Sequence, residues 1–229
     1  AAEIVPGARV GVARFPEDSD NAGGLPEAAQ TARMGIDANG EQVAVYTPET
    51  RTLALRKLAI ESGLRHAVER NELTLTYQLQ ADLTSGDLAG MQLSLRWHSH
   101  ELGEVPGAEF VPIAMQTGLI VMLGDWKRDT ACRQLRAWDQ AGVRVPRLAL
   151  RISLLELQQP DVVDKLRRSL SSNGLTPQAL GIEISEHALF NASPALVRTL
   201  SQVRSMGLEI SLGDFGAGFT NLGLLRTLP

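Results

Sequence analysis

The stretch "RLALRISLLELQQPDVVDKLRRSLSSNGLTPQALGIEIS", residues 147–185, holds two short apolar runs separated by a helical segment that ends at Gly174. The pattern then repeats, with "SPALVRTLSQVRSMG" (193–207) followed by "LEISLGDF" (208–215). Three strands alternating with helices of ten or more residues predict βα units and a parallel sheet, open or closed into a barrel. In such folds chemistry collects at the C-terminal ends of the strands. Those ends carry Arg151 and Ser153, Glu183 and Glu186, and Asp214. Leu148, Leu150 and Ile152 share one face while Arg151 takes the other, and Glu183 sits between Ile182 and Ile184. A charged side chain inside a parallel strand is costly unless it is paired or meets a ligand.

Upstream, "MLGDWKRDTACRQLRAWDQAG" (122–142) reads as a helix closed by a glycine. "ELTLTYQLQ" (72–80) and "LAGMQLSLRW" (88–97), joined by the turn-forming "DLTSGD", read as neighbouring strands. Residues 49–71 place Leu53, Leu58, Leu64 and Val68 near helical spacing and predict a connecting helix with those residues as its apolar stripe. Residues 8–46 give a short strand, a polar turn, a helix opened by Pro26 and a second strand, too little for a core of their own.

The net charge of −4 argues against a surface for nucleic-acid polymers. The lone Cys132 excludes an intramolecular disulfide and a cysteine pair for zinc, which reads as a reducing, cytoplasmic compartment. The longest apolar run, "GLIVML" (118–123), is short of the roughly 20 residues that span a bilayer, so no membrane contact is expected within this segment. A start without Met and an end at "RTLP" read as a piece of a longer chain, one that can be attached to a membrane sensor elsewhere. In "SLGDFGAGFTNLG" (211–223), Asn221 stands where a dinucleotide fingerprint needs glycine, so the glycines alone leave turn, phosphate cradle and metal site open.

Taken together, "TYQLQADLTSGDLAGMQLSLRW", "GEVPGAEFVPIAMQTGLIVMLGDW", "ACRQLRAW", "GLTPQALGIEISE" and "SLGDFGAGFTNLGLLRTLP" resemble, in order, the motifs of the EAL domain family. These are the phosphodiesterases and receptors of the bacterial second messenger cyclic di-GMP. Residues 8–46 are similar to the last strand, helix and strand of a GGDEF domain. The resemblance implies a modified TIM-type (β/α) barrel, truncated at residue 229, behind a short α+β segment. The expected boundaries are 1–49 for the GGDEF-like remnant, 50–70 for the connecting helix and 71–229 for the EAL part.

The resemblance also implies a two-metal site for Mg or Mn in active members, because hard cations take oxygen ligands and paired ions need anionic charge. Here the Glu that names the motif aligns with Gln92, the Asn of the third motif strand with Arg151, and the first Asp of the "DDFG" motif with Gly213. Glu183 and Asp214 are the residual metal-site carboxylates. The five positions therefore sum to −1, against −4 in an active member. For cyclic di-GMP the resemblance implies contacts from Gln78, Leu93, Arg96 and Asp214, with Ser94 at the last EAL position and Glu186 anchoring the loop after the aspartate. Arg151, a departure from the family, is read as pairing with Glu183 and Asp214 or facing a ligand phosphate, the alternative being a side chain turned out to solvent.

Three readings follow. The leading one is a catalytically degenerate EAL domain, a cyclic di-GMP receptor or regulatory module without functional catalytic residues or cofactor. The others are an active Mg- or Mn-dependent phosphodiesterase and a nucleotide-independent interaction module. Expected partners are cyclic di-GMP, other signalling proteins, or a second copy in an EAL-mediated dimer.

Overall fold

Alternation of apolar and polar side chains decides which face of each strand is covered, and in this chain it builds a sheet with an apolar outer face and a polar inner one. The computed structural model describes residues 8–36, 42–186, 193–214 and 216. A two-stranded parallel sheet pairs β1 (Val10–Val12) with β2 (Val43–Val45), and α1 (Leu25–Gly35) packs against it. Gly11 permits that approach, since a Cβ there would lie 1.8 Å from the Ala29 carbonyl oxygen.

Helix α2 (Pro48–His66) starts from a capping box in which Thr47 and Thr50 satisfy each other's backbone N–H groups. It begins two residues before the expected 50 and ends at His66, with Asn71 in a left-handed conformation before the next strand. Of the expected apolar stripe, Leu64 is buried and Val68 packs against the core, while Leu53 and Leu58 are not part of it. Leu53 and Leu58 are 52% and 46% exposed, while Ala54, Ile60 and Leu64 are buried, so the small Ala54 and the β-branched Ile60 set the packed face.

The main sheet runs β3 (Leu73–Ala81), β4 (Leu88–Ser99), β6 (Leu148–Arg151), β7 (Leu180–Ser185), β8 (Glu209–Gly213), with β5 (Gly103–Val105) also paired to β4. The first pair is antiparallel and joined by a turn in which Asp82 accepts from Thr84 and Ser85. From β4 onward to β8 the path is parallel. Its outer face is covered by α4 (Leu119–Gln140), α6 (Val162–Ser172) and α7 (Pro194–Ser205), with Cys132, Leu135, Leu166, Leu170, Leu196 and Leu200 buried against Leu148, Leu150, Ile182 and Ile184. The "GLIVML" run opens α4, so α3 (Gly107–Thr117) and α4 form two helices turned at Gly118, whose positive φ suits glycine. Among the described residues no single helix is long and apolar enough to cross a membrane.

A second apolar cluster joins α2 and α3 to the far end of β4, centred on Trp97, which meets Phe110 edge to face. Beneath it Glu72 is buried and accepts from the Trp97 indole N–H at 2.8 Å and the His100 backbone N–H at 3.1 Å, with the His100 ring at 2.8 Å.

Candidate functional site

Register places the polar residues of neighbouring strands side by side. Arg151, the last residue of β6, pairs with Glu183 on β7, which pairs with Ser211 on β8, and Ser185 pairs with Gly213. On β4, Gln92 lies opposite Gln78 of β3, so both face the same side as these residues. The inner face therefore gathers an amide, a guanidinium and two carboxylates at the C-terminal end of the parallel strands.

Glu183 is buried and engaged by both neighbours: its Oε2 accepts from the Gln92 amide at 2.6 Å, and its Oε1 lies 3.4 Å from Arg151 Nε. The Arg151 guanidinium also forms an ion pair with Asp214 while remaining 47% exposed. Asp214 adopts a left-handed backbone, a conformation that Asp tolerates better than most residues. Glu186 accepts from the Gly216 backbone N–H at 2.9 Å, which ties the segment after β8 to the end of β7. Of the rest of the glycine-rich loop, Phe215 and residues 217–223 lie outside the described residues.

Gln78, Leu93 and Arg96 take no part in these bonds among the described residues. Gln78 is exposed. Arg96 shares the inner face with Gln92 and Ser94, is 58% exposed, and has Glu104 3.5 Å away. Leu93 is placed differently from its expected ligand contact: strand alternation turns it to the outer face, where it is buried in the core with Leu148 and Cys132. Ser94, one residue on, takes the inner face in its stead.

Sequence reasoning missed the support behind β6. Lys127 of α4 donates to the Arg151 carbonyl at 2.5 Å and lies 4.0 Å from Glu156. Burial pushes the Lys127 ammonium below its usual pKa, opposed by the Glu156 carboxylate. Glu156 in turn accepts from Ser153 N–H at 2.8 Å and Ser153 Oγ at 2.6 Å, a capping box that opens α5 (Leu154–Leu157) directly after β6. The Ser153-x-x-Glu156 spacing was the available signal. Gly124 leaves the space for Glu156, since a Cβ there would lie 1.8 Å from Glu156 Oε1.

Among the described residues no three Asp, Glu, His or Cys side chains are grouped so as to hold a metal ion. The cluster instead combines two carboxylates with a cation of its own, the Arg151 guanidinium, which pairs with both.

Residues 61–229 match the family described as the EAL domain. The chain is 32% identical over 228 residues to the bifunctional diguanylate cyclase/cyclic di-GMP phosphodiesterase MucR of Pseudomonas aeruginosa, covering 99% of this chain and 33% of that protein. It is 30% identical over 227 residues to the cyclic di-GMP phosphodiesterase NbdA of the same organism, covering 99% of this chain and 29% of the relative. The chain thus spans about a third of the length of these curated relatives. Among solved structures it resembles the PaMucR phosphodiesterase c-di-GMP complex, with a TM-score of 0.70 and 35% identity over 75% of this chain and 69% of that one. It also resembles the Xanthomonas citri FimX EAL domain in complex with c-diGMP, with a TM-score of 0.68 and 26% identity over 78% and 69% of the two chains.

Proposed function

The chain belongs to the EAL domain family, and from that premise we propose that it is a catalytically degenerate member, a cyclic di-GMP receptor or regulatory module in bacterial second-messenger signalling. The observation that carries this reading is the Arg151 guanidinium paired with both Glu183 and Asp214. Two divalent ions need a dense set of oxygen donors, whereas Arg151 offers five N–H donors and no lone pair. The donor set therefore does not fit the Mg or Mn pair of an active phosphodiesterase. It suits an anionic ligand better, with Arg151 and Arg96 presenting guanidinium groups on the inner face and Gln78 an amide. The two structural neighbours described with cyclic di-GMP support that choice of ligand.

The same reading takes the sheet as part of a (β/α) barrel and residues 1–49 as the end of a GGDEF-like domain. It takes α2 as the connecting helix and 71–229 as part of the EAL domain, the whole in a cytoplasmic compartment with signalling proteins or a second copy as partners.

Calorimetry of the full-length protein with cyclic di-GMP in EDTA tests it. Saturable binding without turnover when Mg or Mn is added is the expected result. Absence of binding at millimolar nucleotide would leave the interaction-module reading in its place. Metal-dependent hydrolysis abolished by Asp214→Ala would establish the phosphodiesterase.

A further inference from the structure

Gly213 closes β8 without the left-handed backbone that usually explains a glycine, so the reason for it is space. A Cβ at this position would lie 2.4 Å from Glu183 Oε1, 3.0 Å from Glu183 Cδ and 3.0 Å from Arg151 Nη2. These atoms belong to side chains, but neither swings freely. Glu183 is held by Gln92 at 2.6 Å and by Arg151, and Arg151 is held by Glu183 and Asp214 while its own carbonyl is fixed by Lys127.

We propose that Gly213 and Arg151 act as one unit that fixes which cation this cluster holds: the missing side chain at 213 makes the room in which a tethered guanidinium sits between Glu183 and Asp214. The inference rests on the metal-free receptor reading and adds its determinant. A guanidinium tied to the backbone is present at the site whatever the ion concentration, and it repels an incoming dication. A carboxylate placed at 213 alone meets Glu183 and Arg151 and gains a salt-bridge partner, not an ion. Removing Arg151 alone leaves Glu183 and Asp214, two carboxylates, which is few ligands for a hard cation that takes six or more oxygens. Changing both supplies a third carboxylate, an amide oxygen and the vacated volume together, so the two positions are strongly non-additive.

The test uses the full-length protein as wild type, Gly213→Asp, Arg151→Asn and the double variant, each titrated with Mn2+ by calorimetry and melted with Mn2+ and with EDTA. The expected result is no Mn2+-dependent shift in the wild type or Gly213→Asp, and a Mn2+ affinity in the double variant at least about tenfold above either single variant. Equal Mn2+ binding by Gly213→Asp and the double variant overturns the proposal, as does a double variant no better than Arg151→Asn. Should Gly213→Asp fail to fold, Gly213→Ala serves. Its melting point should fall further in the wild-type background than with Arg151→Asn, and equal falls overturn the shared-space argument. Cyclic di-GMP binding by the wild type in EDTA is measured alongside. Its loss counts against the receptor reading and leaves the Mn2+ comparison intact.

Discussion

Gln92 on β4 and Glu183 on β7 stand 91 residues apart and meet through a 2.6 Å hydrogen bond across the intervening β6. The bond satisfies an oxygen of a buried carboxylate, and a buried acceptor that loses its donor typically costs about 1 to 3 kcal/mol. Gln92→Ala is expected to lower the unfolding free energy by that amount, read as a lower urea midpoint at unchanged slope. Gln92→Glu, which brings a second carboxylate to the same contact, should lower it further in EDTA. An unchanged midpoint for both would show that the bond contributes nothing.

Arg96 separates binding from folding. Among the described residues its charged neighbour is Glu104, 3.5 Å away with both side chains exposed, and exposed pairs contribute about 0 to 1 kcal/mol. Arg96→Ala is therefore expected to leave the melting point nearly unchanged while weakening cyclic di-GMP binding by about 1.5 to 3 kcal/mol, the usual worth of a hydrogen bond to a charged group. Calorimetry on both proteins decides this, and equal affinities would remove Arg96 from the site.

Burial alone would raise the pKa of Glu72, but hydrogen bonds from the Trp97 indole and from the His100 backbone and ring outweigh it and hold the carboxyl below its ordinary 4.5. A depressed folded value means that the stabilisation is fully present above the unfolded value and disappears as pH falls through the folded one. Glu72→Gln should accordingly cost stability at pH 7 and flatten the decline of stability on acidification below about pH 5. Urea midpoints measured for both proteins at pH 7 and pH 3.5 check the difference, and parallel declines would count against it.

Gly124 lies inside a helix, where alanine normally gains about 1 kcal/mol over glycine. The Glu156 carboxylate 1.8 Å from the alanine Cβ position reverses that expectation. Gly124→Ala should destabilise by about 1 to 3 kcal/mol, as overpacking usually does. Gly107→Ala, with no neighbour within 4 Å, should not. Thermal melts of the two variants give the comparison directly.

The strand and helix order from β6 to β8 was legible because parallel strands buried on one face carry unbroken apolar alternation, and Arg151, Glu183 and Asp214 fell at strand ends by that reading. Leu93 was misread because family resemblance fixes a motif's position, while strand alternation fixes which face each residue takes. The exposed Leu53 and Leu58 show the same limit in α2, whose packed side is chosen by tertiary neighbours and not by leucine spacing. The lost carboxylate at Gly213 could be read, but not the close approach there. Its meaning depends on Glu183 and Arg151 atoms brought there by two other strands, and no local pattern records them.

Helix α2 presses directly on the Trp97 ring, for a Cβ at Gly63 would stand 3.0 Å from Trp97 Cζ2 and 3.2 Å from Cη2. The same edge of the indole, at its N–H two bonds from Cζ2, is held by Glu72. In mechanical terms α2 and β4 are a shaft keyed to its bearing. The point of contact, Gly63, stands about 22 Å along the helix from Pro48, so the start of α2 and the strand that carries Gln92 are joined through one rigid element and one close contact.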